Sequence, residues 1–367
     1  MKTATVLATL ISLGSLGASA PPPTPSGGLG TNGSTPVYRP LSDFDFQSLN
    51  LALNQELIEL DLFHFGLARF SVAEFEAAGL TAEDRFLIEF MADQEVGHAK
   101  MISNVLGPAR AAKSCTYTYD FTTVRGFVDF SQKVTRVGES GGWGFLEHLD
   151  SRDVAQLLVQ SLSTEARQQM ILRQFEGLFP MPVWFEPGIT QSMAWTLLAP
   201  HLVTCPAGNP RIAWQNFPAL NITNNPNATA LVNGSNNNNG SATTPAITHN
   251  RSEPLSYPGR TVSLKWELPG KTVGPNNNYT TSTTAGSPKF VAWISQLNTT
   301  YTKLDNISGQ SGSTIQPGGA VFGGNTAPIV NGSMFVVITD ANVTVTPANI
   351  SMINKHVVAG PAVYQAG

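Results

Sequence analysis

Three segments of the chain repeat apolar residues at alternating steps of three and four, and this spacing limits the fold more than any other feature of the sequence. It is the spacing of helices that pack along the seams of a bundle. The first seam begins after Ser42 and consists of Phe46, Leu49, Leu53, Glu56, Leu60, Phe63, Leu67 and Phe70. The second consists of Ile88, Met91, Glu95, His98, Ile102 and Val105, and the third of Val154, Leu158, Ser161, Glu165, Gln168, Leu172 and Phe175. We therefore predict a helical bundle over residues 42–205.

Local signals indicate where the predicted helices begin and end. Thr81 and Asp84 form a weak capping box at the start of the second long helix, and the Gly-Pro pair at 107–108 ends it. The remaining helices are predicted over 122–137, from about Ser151 onward, and over 188–199.

Beyond Cys205 the pattern changes to a period of two, which indicates β-strands. Strand-like runs, separated by Gly, Pro and Asn clusters, cover residues 261–268, 290–297, 333–339 and 356–364. Within 206–254, a possible first strand at 212–214 and 217–218 precedes an Asn-rich linker. The predicted fold class is α+β, with a four-helix bundle followed by an all-β, sandwich-like domain over 255–367.

The start of the chain predicts export. Residues 1–20 combine Lys2, a short apolar stretch and the small residues Ala-Ser-Ala at 18–20, which is the pattern of a cleaved signal peptide. Residues 21–41 form a leader rich in Pro, Gly and Ser. We expect a secreted protein that is located outside the cell, with the cell surface or cell wall as candidate sites. We expect no membrane span, because no other apolar run reaches the necessary length.

Signals for asparagine-linked glycosylation divide the chain into two halves. They occur at Asn32, Asn221, Asn227, Asn233, Asn239, Asn250, Asn278, Asn298, Asn306, Asn331, Asn342 and Asn349. None lies between residues 33 and 220, so the predicted bundle is free of sugar and the predicted β domain is rich in it. The sugar-free helical part is a candidate surface for contacts with the cell wall or between copies of the chain.

Composition and motifs narrow the classes of function. Charged residues make up 13% of the chain and the formal net charge is -4, which excludes a polycationic surface for nucleic acid. No nucleophile elbow, P-loop or dinucleotide fingerprint occurs in a suitable context. The two cysteines, Cys115 and Cys205, are expected to form a disulfide in an exported chain, and two buried free thiols are the alternative.

Polar residues interrupt all three seams near their middle. Glu56 stands where a large aliphatic residue is expected, and Glu95 and His98 lie one turn apart on one helix face. Glu165 and Gln168 repeat that spacing on the last long helix. Buried carboxylates need partners or a cation. Two glutamates and two Glu-x-x-His pairs, contributed by four helices, are the ligand set of di-iron bundles, and these ligands suit iron or manganese.

The segments around these residues resemble a known family. LNLALNQELIELDLFHFGLARF resembles the first helix of bacterioferritin-type proteins, DQEVGHAKMISNVL their second-helix Glu-x-x-His, and LLVQSLSTEARQQMILRQFEG their fourth helix. This resemblance implies metal ligands at Glu56, Glu95, His98 and Glu165. With PKFVAWISQLNTTY and HVVAGPAVYQAG included, nearly the whole chain is similar to secreted fungal ferritin-like proteins of stress response and sexual development. That similarity implies a ferritin-like bundle and a role in stress or development, without a molecular mechanism.

The sequence departs from the family's ligand set at two positions. Gln168 stands in place of the fourth-helix histidine, and Thr135 stands, in our alignment, in place of the third-helix glutamate. The nearby acids Asp129, Glu139 and Glu147 have no seam position and are predicted to be solvated. His64 is predicted to be an ordinary interfacial histidine, and the aromatic residues Trp184, Phe185 and Trp195 are predicted to serve packing.

Three interpretations of the polar seam residues stay open at this point. They are a polar network satisfied by hydrogen bonds and water, a site for one divalent ion of zinc, manganese or iron, and a di-iron oxidase centre. The sequence favours a non-enzymatic extracellular or cell-surface glycoprotein with a degenerate ferritin-like domain. The alternative is an extracellular metalloprotein that binds or oxidises iron, or that handles peroxide.

Overall fold

The computed structural model describes residues 35–226, 254–320, 326–327 and 332–367. The described residues from Tyr38 onward belong to one compact unit. The predicted signal peptide, most of the predicted leader and most of the predicted Asn-rich linker lie outside the described residues. No helix within the described ranges is both long and apolar enough to cross a membrane.

Four long helices form the bundle that the seams predict. In the described part of the chain the α-helices are α1 (Asp43–Arg69), α2 (Val72–Ala77), α3 (Ala82–Leu106), α4 (Val124–Trp143), α5 (Arg152–Phe175) and α6 (Gln191–Leu198). Short 3₁₀ segments cover Leu146–His148, Ala199–His201, Pro275–Asn277 and Pro347–His356. α1 packs chiefly against α3, and α4 packs chiefly against α5. Seam residues such as Leu53, Ile88 and Val154 are buried, as predicted.

Side-chain caps begin the helices where the sequence indicates. Ser42 Oγ accepts the backbone N–H of Asp45 at the start of α1, at 3.2 Å. Both halves of the capping box form at α3, since Thr81 Oγ1 accepts from the Asp84 N–H (3.3 Å) and Asp84 Oδ2 accepts from the Thr81 N–H (2.8 Å). Gly107, with a φ of +86°, ends α3 in a conformation that disfavours any side chain.

α4 is longer than predicted, because its glycines are packing positions. The expected end was residue 137, but the helix continues to Trp143. A Cβ at Gly142 would lie 2.8 Å from the side chain of Leu162, and a Cβ at Gly138 would lie 2.6 Å from Glu59 Oε1. These glycines let α4 approach α5 and α1 closely, and this packing outweighs the low helix propensity of glycine.

Two four-stranded antiparallel sheets follow the bundle. The strands are β1 (Thr116–Tyr117), β2 (Leu202–Thr204), β3 (Leu220–Ile222), β4 (Thr261–Trp266), β5 (Thr272–Val273), β6 (Tyr279–Thr280), β7 (Phe290–Ser295), β8 (Asn298–Lys303), β9 (Asp305–Ser308), β10 (Ser311–Ile315), β11 (Gly319–Ala320), β12 (Thr326–Ala327), β13 (Ser333–Thr339) and β14 (Val357–Gln365). The first sheet has the order β3–β4–β10–β9 and the second has the order β14–β13–β7–β8. β1 pairs with β2, β5 with β6, and β11 with β12.

The second sheet is buried on both faces. Val291 and Val336 pack against residues of β3 and β4 in a core between the two sheets. Their neighbours Ala292 and Phe335 point the other way and pack in a cluster that includes Trp195 of α6. Burial on both faces explains why β13 is apolar throughout its interior, between Ser333 and Thr339 at its ends. The α+β fold class is confirmed, while the domain boundaries at 205 and 255 stay a prediction.

The predicted first strand of the β domain is wrong. Residues 212–214 and 217–218 are not strands, and along the chain the first strand of the two four-stranded sheets is β3, beginning at Leu220. The backbone N–H of Phe217 donates instead to Thr196 Oγ1 (2.9 Å), which ties this segment to α6. The four other predicted strands are confirmed as β4, β7, β13 and β14. β8, β9 and β10 are not predicted, because their Asn, Thr and Ser residues resemble a loop composition.

A disulfide joins Cys115 and Cys205, as the sequence predicts. It ties the segment between α3 and α4 to the segment after α6, beside the β1–β2 pair. The two residues are 90 positions apart, so the bridge closes a long loop. In the chain-entropy account such a loop closure stabilises a fold by about 3–5 kcal/mol.

Candidate metal centre

Three helices bring the predicted ligands together in the bundle. α1 contributes Glu56, α3 contributes Glu95 and His98, and α5 contributes Glu165. One ligand atom from each of these side chains lies within 4.8 Å of the others. We call these four residues the carboxylate–histidine cluster. Their convergence follows from their seam positions, and their role as metal ligands stays a prediction.

The Nδ1 atom of His98 is central to the cluster. It lies 3.2 Å from Glu56 Oε2, 3.1 Å from Glu95 Oε2 and 3.0 Å from Glu165 Oε1. The side chains of Glu95 and Glu165 are only 0% and 5% exposed. One ring nitrogen therefore faces three carboxylate oxygens where little water is present, and electrostatic interactions between them are strong.

A hydrogen-bond chain on α5 indicates which nitrogen of His98 carries hydrogen. Thr164 Oγ1 donates its only hydrogen to the backbone oxygen of Ser161 at 2.7 Å. It therefore accepts a hydrogen bond from His98 Nε2, at 2.9 Å. In a neutral imidazole this arrangement leaves the lone pair on Nδ1. A lone pair facing three carboxylate oxygens is stable only when a proton or a metal ion lies between them.

Glu165 and Gln168 carry buried oxygen atoms that lack a hydrogen-bond partner among the described residues. They are the Oε2 atom of Glu165 and the Oε1 atom of Gln168, while Glu165 Oε1 has only its contact with His98 Nδ1. Gln168 Nε2 donates to Glu95 Oε1 (2.6 Å) and to Gln94 Oε1 (3.2 Å). A buried polar atom without a partner costs about 1–3 kcal/mol. A cation beside these oxygens would remove that cost.

A further buried carboxylate lies on α1, one turn after Glu56. Glu59 is 1% exposed. Its Oε1 accepts from Gln55 Nε2 (2.6 Å) and its Oε2 accepts from Thr135 Oγ1 of α4 (2.9 Å). Thr135, which our sequence alignment sets at the place of the third-helix glutamate, thus contacts a carboxylate of α1.

Burial raises the pKa values of the acids in this region. It raises the pKa of Glu95 to about 8. Burial and then the charge of Glu95 raise the pKa of Glu59 to about 8. Burial, followed by the charges of Glu95 and Glu59, raises the pKa of Glu165 well above its ordinary value. Burial alone would lower the pKa of His98, but its contacts with Glu165, Glu56 and Glu95 outweigh burial and raise it. This region therefore takes up protons or a cation.

The spacing and chemistry of the cluster fit a divalent metal ion. Ligand atoms held about 2.1 Å from an ion, at right angles to one another, are about 3.0 Å apart. The distances from His98 Nδ1 to the three oxygens, 3.0–3.2 Å, are close to that value. Three carboxylates and one imidazole suit zinc, manganese or iron. Thr164 would orient His98 through the other ring nitrogen, as hydrogen-bond partners of metal-ligating histidines do.

The same donors do not form the ligand set of a di-iron centre. Gln168 presents an amide where the second imidazole is expected, and Thr135 presents a hydroxyl where the third-helix glutamate is expected. An ion bound by the cluster would supply fixed positive charge in the middle of the bundle. The residues of this chain would bind and orient that ion from three helices at once.

Two sequence comparisons connect this chain with known proteins. Residues 44–178 match the family described as the ferritin-like domain. The chain is 54% identical over 347 residues to Protein rds1 of Schizosaccharomyces pombe, and the match covers 94% of this chain and 86% of that protein. The chain belongs to the rds1 family. The predicted fungal ferritin-like resemblance is thereby confirmed, and the rds1-family chain carries its ferritin-like domain in the N-terminal half.

The prediction that Glu139 is solvated is wrong, because this residue is buried and forms an ion pair. Arg136 Nη1 donates to Glu139 Oε2 (2.9 Å) and also contacts Glu186. Glu139 is 0% exposed and Arg136 is 3% exposed. Burial raises the pKa of Glu139 to about 7, although the charge of Arg136 opposes this rise. The partner Glu186 lies beyond the end of α5, and the helical spacing of α4 gives no sign of such a contact.

The other singled-out residues lie apart from the carboxylate–histidine cluster. Asp129 is partly exposed and pairs with Lys133 at 2.6 Å, and Glu147 is largely exposed. His64 is exposed on α1. The predicted aromatic packing is only partly correct, since Trp195 is buried in the core but Trp184 is 76% exposed and Phe185 is 38% exposed.

Half of the glycosylation signals lie in the described residues of this rds1-family chain. Asn221, Asn278, Asn306 and Asn342 are exposed, and Asn298 and Asn349 are half-buried. Asn32, Asn227, Asn233, Asn239, Asn250 and Asn331 lie outside the described residues. Attachment of glycans stays a prediction at all of these positions.

The sequence analysis does not identify two residues of the site, Glu59 and Thr164. Glu59 follows Glu56 by three positions, the same spacing as Glu95 and His98, and that spacing is the signal that could have revealed it. Thr164 directly precedes Glu165, but nothing in the sequence connects it with His98. Only the packing of α5 against α3 brings the hydroxyl and the ring together.

Proposed function

We propose that this protein is an exported glycoprotein whose ferritin-like bundle binds a divalent metal ion as a structural element and is not a di-iron oxidase. The observation that carries the proposal is the contact of His98 Nδ1 with three carboxylate oxygens at 3.0–3.2 Å. A single proton on that nitrogen can satisfy one of these oxygens well, whereas a metal ion interacts with all of them.

A structural role is supported by the way in which the ligands are distributed. Glu56, His98 and Glu165 come from α1, α3 and α5, which are three separate helices of the bundle. An ion that contacts all three helices stabilises only the folded bundle, because the unfolded chain does not hold these ligands together. The absence of a second imidazole at Gln168 argues against a pair of irons in redox exchange.

Export is supported by two features of the sequence. The first is the signal-like segment at residues 1–20, and the second is the confinement of all but one glycosylation signal to the chain beyond residue 220. A location at the cell surface or wall, with a role in stress response or development, follows from the family resemblance. Contacts between copies, or with the wall, would use the sugar-free helical half.

Metal binding is tested by measuring bound Mn²⁺ on the full chain after metal removal and dialysis against Mn²⁺. We expect at least one ion per chain in the wild type and one fewer in His98→Ala, because Nδ1 is the only imidazole ligand of the cluster. His64→Ala is the matched control, since His64 is exposed on α1, and it should bind Mn²⁺ as the wild type does. A wild-type protein that binds no Mn²⁺, Zn²⁺ or Fe²⁺ would contradict the proposal.

An activity measurement distinguishes the proposed structural metal site from the oxidase alternative. The proposal predicts no oxidation of ferrous iron beyond the uncatalysed rate, even when the protein is loaded with iron. Sustained oxidation that requires His98 and Glu165 would instead support a redox metalloprotein.

Export is tested by treating the secreted protein with an endoglycosidase. Its apparent mass should fall, and peptide mapping should place most of the lost mass beyond residue 220. Retention of the chain inside the cell, or an unchanged mass, would refute export as a glycoprotein.

A further inference from the structure

The solvent face of α3 carries two large aromatic side chains that are half exposed or more. Phe86 is 62% exposed and Phe90 is 51% exposed. Their rings stack on each other, with centroids 6.4 Å apart and planes inclined by 27°. The two residues are four positions apart, so they lie on one face of the helix, on the side away from its buried residues. Adjacent exposed aromatic residues are typical of a surface that binds a partner.

A glycine lies two turns further along the same face. Gly97 follows Phe90 by seven residues, which places it about 10 Å further along the helix axis. A Cβ at Gly97 would have no neighbour within 4 Å, whereas Cβ atoms at Gly138 and Gly142 of α4 would collide with side chains of other helices. Glycine lowers helix stability, and no packing among the described residues accounts for it at position 97. It leaves a notch in the exposed surface of α3.

The same face is acidic near the aromatic residues and basic near the notch. Glu89 and Asp93 are exposed beside Phe90, and Lys100 is exposed beside Gly97. None of these three charged residues has an ion-pair partner in the part of the chain that the structure describes. Glu89 and Lys100 are three helical turns apart, too far to pair within one helix. Their charges are therefore available to a partner.

These features complement each other when two copies of α3 run antiparallel. A two-fold axis near residues 93–94 would set Phe90 of each copy against Gly97 of the other, with the ring in the notch. Lys100 of each copy would then lie close to Glu89 of the other copy. A parallel pair would instead bring Phe90 against Phe90 and acid against acid. The antiparallel arrangement uses every feature of the face twice.

We propose that this face of α3 binds a second copy of the chain, with the two α3 helices antiparallel and Phe90 of each copy packed at Gly97 of the other. A neutral wall polysaccharide fits less well, because it offers no charges to Glu89 and Lys100. No glycosylation signal lies between residues 33 and 220, so no predicted glycan obstructs the contact. The inference rests on the proposed use of the sugar-free half for contacts between copies, and it does not depend on a bound metal.

The experiment measures the mass of the secreted full chain by sedimentation equilibrium over a range of concentrations. We expect a dimer for the wild type, and a Kd raised at least about tenfold in Phe90→Glu, which would place an unpaired charge in the notch. Gly97→Gln should weaken the dimer as strongly, because its side chain fills the notch. It should also fold, since glutamine favours a helix more than glycine does and its Cβ meets no neighbour. Leu268→Glu is the matched control: Leu268 is 62% exposed in the β-rich part of the chain, and this variant should dimerise as the wild type does.

A charge exchange tests the antiparallel arrangement. Glu89→Lys and Lys100→Glu should each weaken the dimer, because each opposes like charges across the interface. The variant with both changes should regain the wild-type Kd, since it only exchanges the two signs. A double variant as weak as the single variants would overturn the arrangement.

The oligomeric state of the wild type decides the rest. A wild type that stays monomeric would overturn the inference and leave the proposed metal binding and export intact. A dimer that survives both Phe90→Glu and Gly97→Gln would also overturn it, because the copies would then meet elsewhere. A dimeric wild type that binds no metal would contradict the proposed function and support this inference.

Discussion

The bundle contains two buried groups of acidic side chains, and they differ in the source of their counter-charge. In the first, which we call the arginine cluster, the acids have arginine neighbours: Arg136, Glu139, Arg173, Glu176 and Glu186. Arg136 contacts Glu139 at 2.9 Å and also contacts Glu186. In the second, the carboxylate–histidine cluster together with Glu59, the acids have only His98.

Both groups are largely buried, although Glu186 of the arginine cluster is partly exposed, and they differ in what they indicate about function. Burial lowers the pKa of Arg173 to about 10, while the charge of Glu176 opposes that fall. The chain thus holds permanent cations in the arginine cluster, so the acids of that cluster have a counter-charge without any ligand. His98 is a single titratable cation among four carboxylates, so the other group depends on protons or metal ions from outside. A buried acid therefore indicates a binding site only when the chain does not supply its partner.

The largest effect is expected from breaking the arginine cluster. Arg136→Met would leave Glu139 buried without its partner and should lower the free energy of unfolding by about 3–5 kcal/mol. Urea denaturation at pH 7 measures this change. Lys271→Met is the control, because Lys271 pairs with Glu267 at 2.6 Å but is 59% exposed, and it should change stability by about 0.5 kcal/mol or less. Equal effects of the two substitutions would contradict the account of this cluster.

Metal removal should produce the next largest effect. Free Mn²⁺ at about 100 times its Kd should stabilise the wild type by about 2.7 kcal/mol relative to the metal-free protein. Glu165→Gln should lose this gain in urea denaturation. In the metal-free state the same variant should differ from the wild type by less than about 1 kcal/mol, because His98 Nδ1 keeps its contacts with Glu56 and Glu95, and Glu165 Oε2 has no hydrogen-bond partner among the described residues. A loss as large as that of Arg136→Met would indicate a self-sufficient polar network.

The metal-free protein should lose stability as pH rises. The folded-state pKa of Glu95 is raised from 4.5 to about 8, so the folded protein holds a proton that the unfolded chain releases. The resulting stabilisation is complete below pH 4.5 and is lost as pH rises to about 8. Glu95→Gln should remove about 1–2 kcal/mol of this change, since protons are shared among the carboxylates. Urea midpoints at pH 5 and pH 8 measure it, and a slope that Glu95→Gln leaves unchanged would refute the assignment.

The smallest expected effect concerns the orientation of His98. Thr164→Val removes the acceptor of the Nε2 hydrogen and should weaken metal binding about tenfold, as loss of such a partner does at other metal sites. Thr164→Ser keeps the hydroxyl and should restore the wild-type affinity. Isothermal titration with Mn²⁺ distinguishes them. If valine and serine behave alike, Thr164 does not orient the ring.

The sequence predicts the parts of this structure that depend on periodicity. Seam spacing predicts α1, α3 and α5, and it places Glu56 and His98 on facing surfaces, because helix faces repeat at fixed intervals. It does not predict the full length of α4, because Gly138 and Gly142 resemble helix breakers until their neighbours are known. The sequence does not predict the burial of Glu139 and Glu59 for the same reason. Whether a polar residue is buried there depends on what packs against it from another helix.

The central claim is that the carboxylate–histidine cluster takes its counter-charge from a metal ion. Anomalous diffraction at the manganese edge, from crystals of the wild-type protein grown with Mn²⁺, tests it most directly. We predict a strong anomalous peak within coordination distance of His98 Nδ1 and of the carboxylates of Glu56 and Glu165. No peak, with His98 Nδ1 still in direct contact with these carboxylates at about 3 Å as in the present structure, would contradict it.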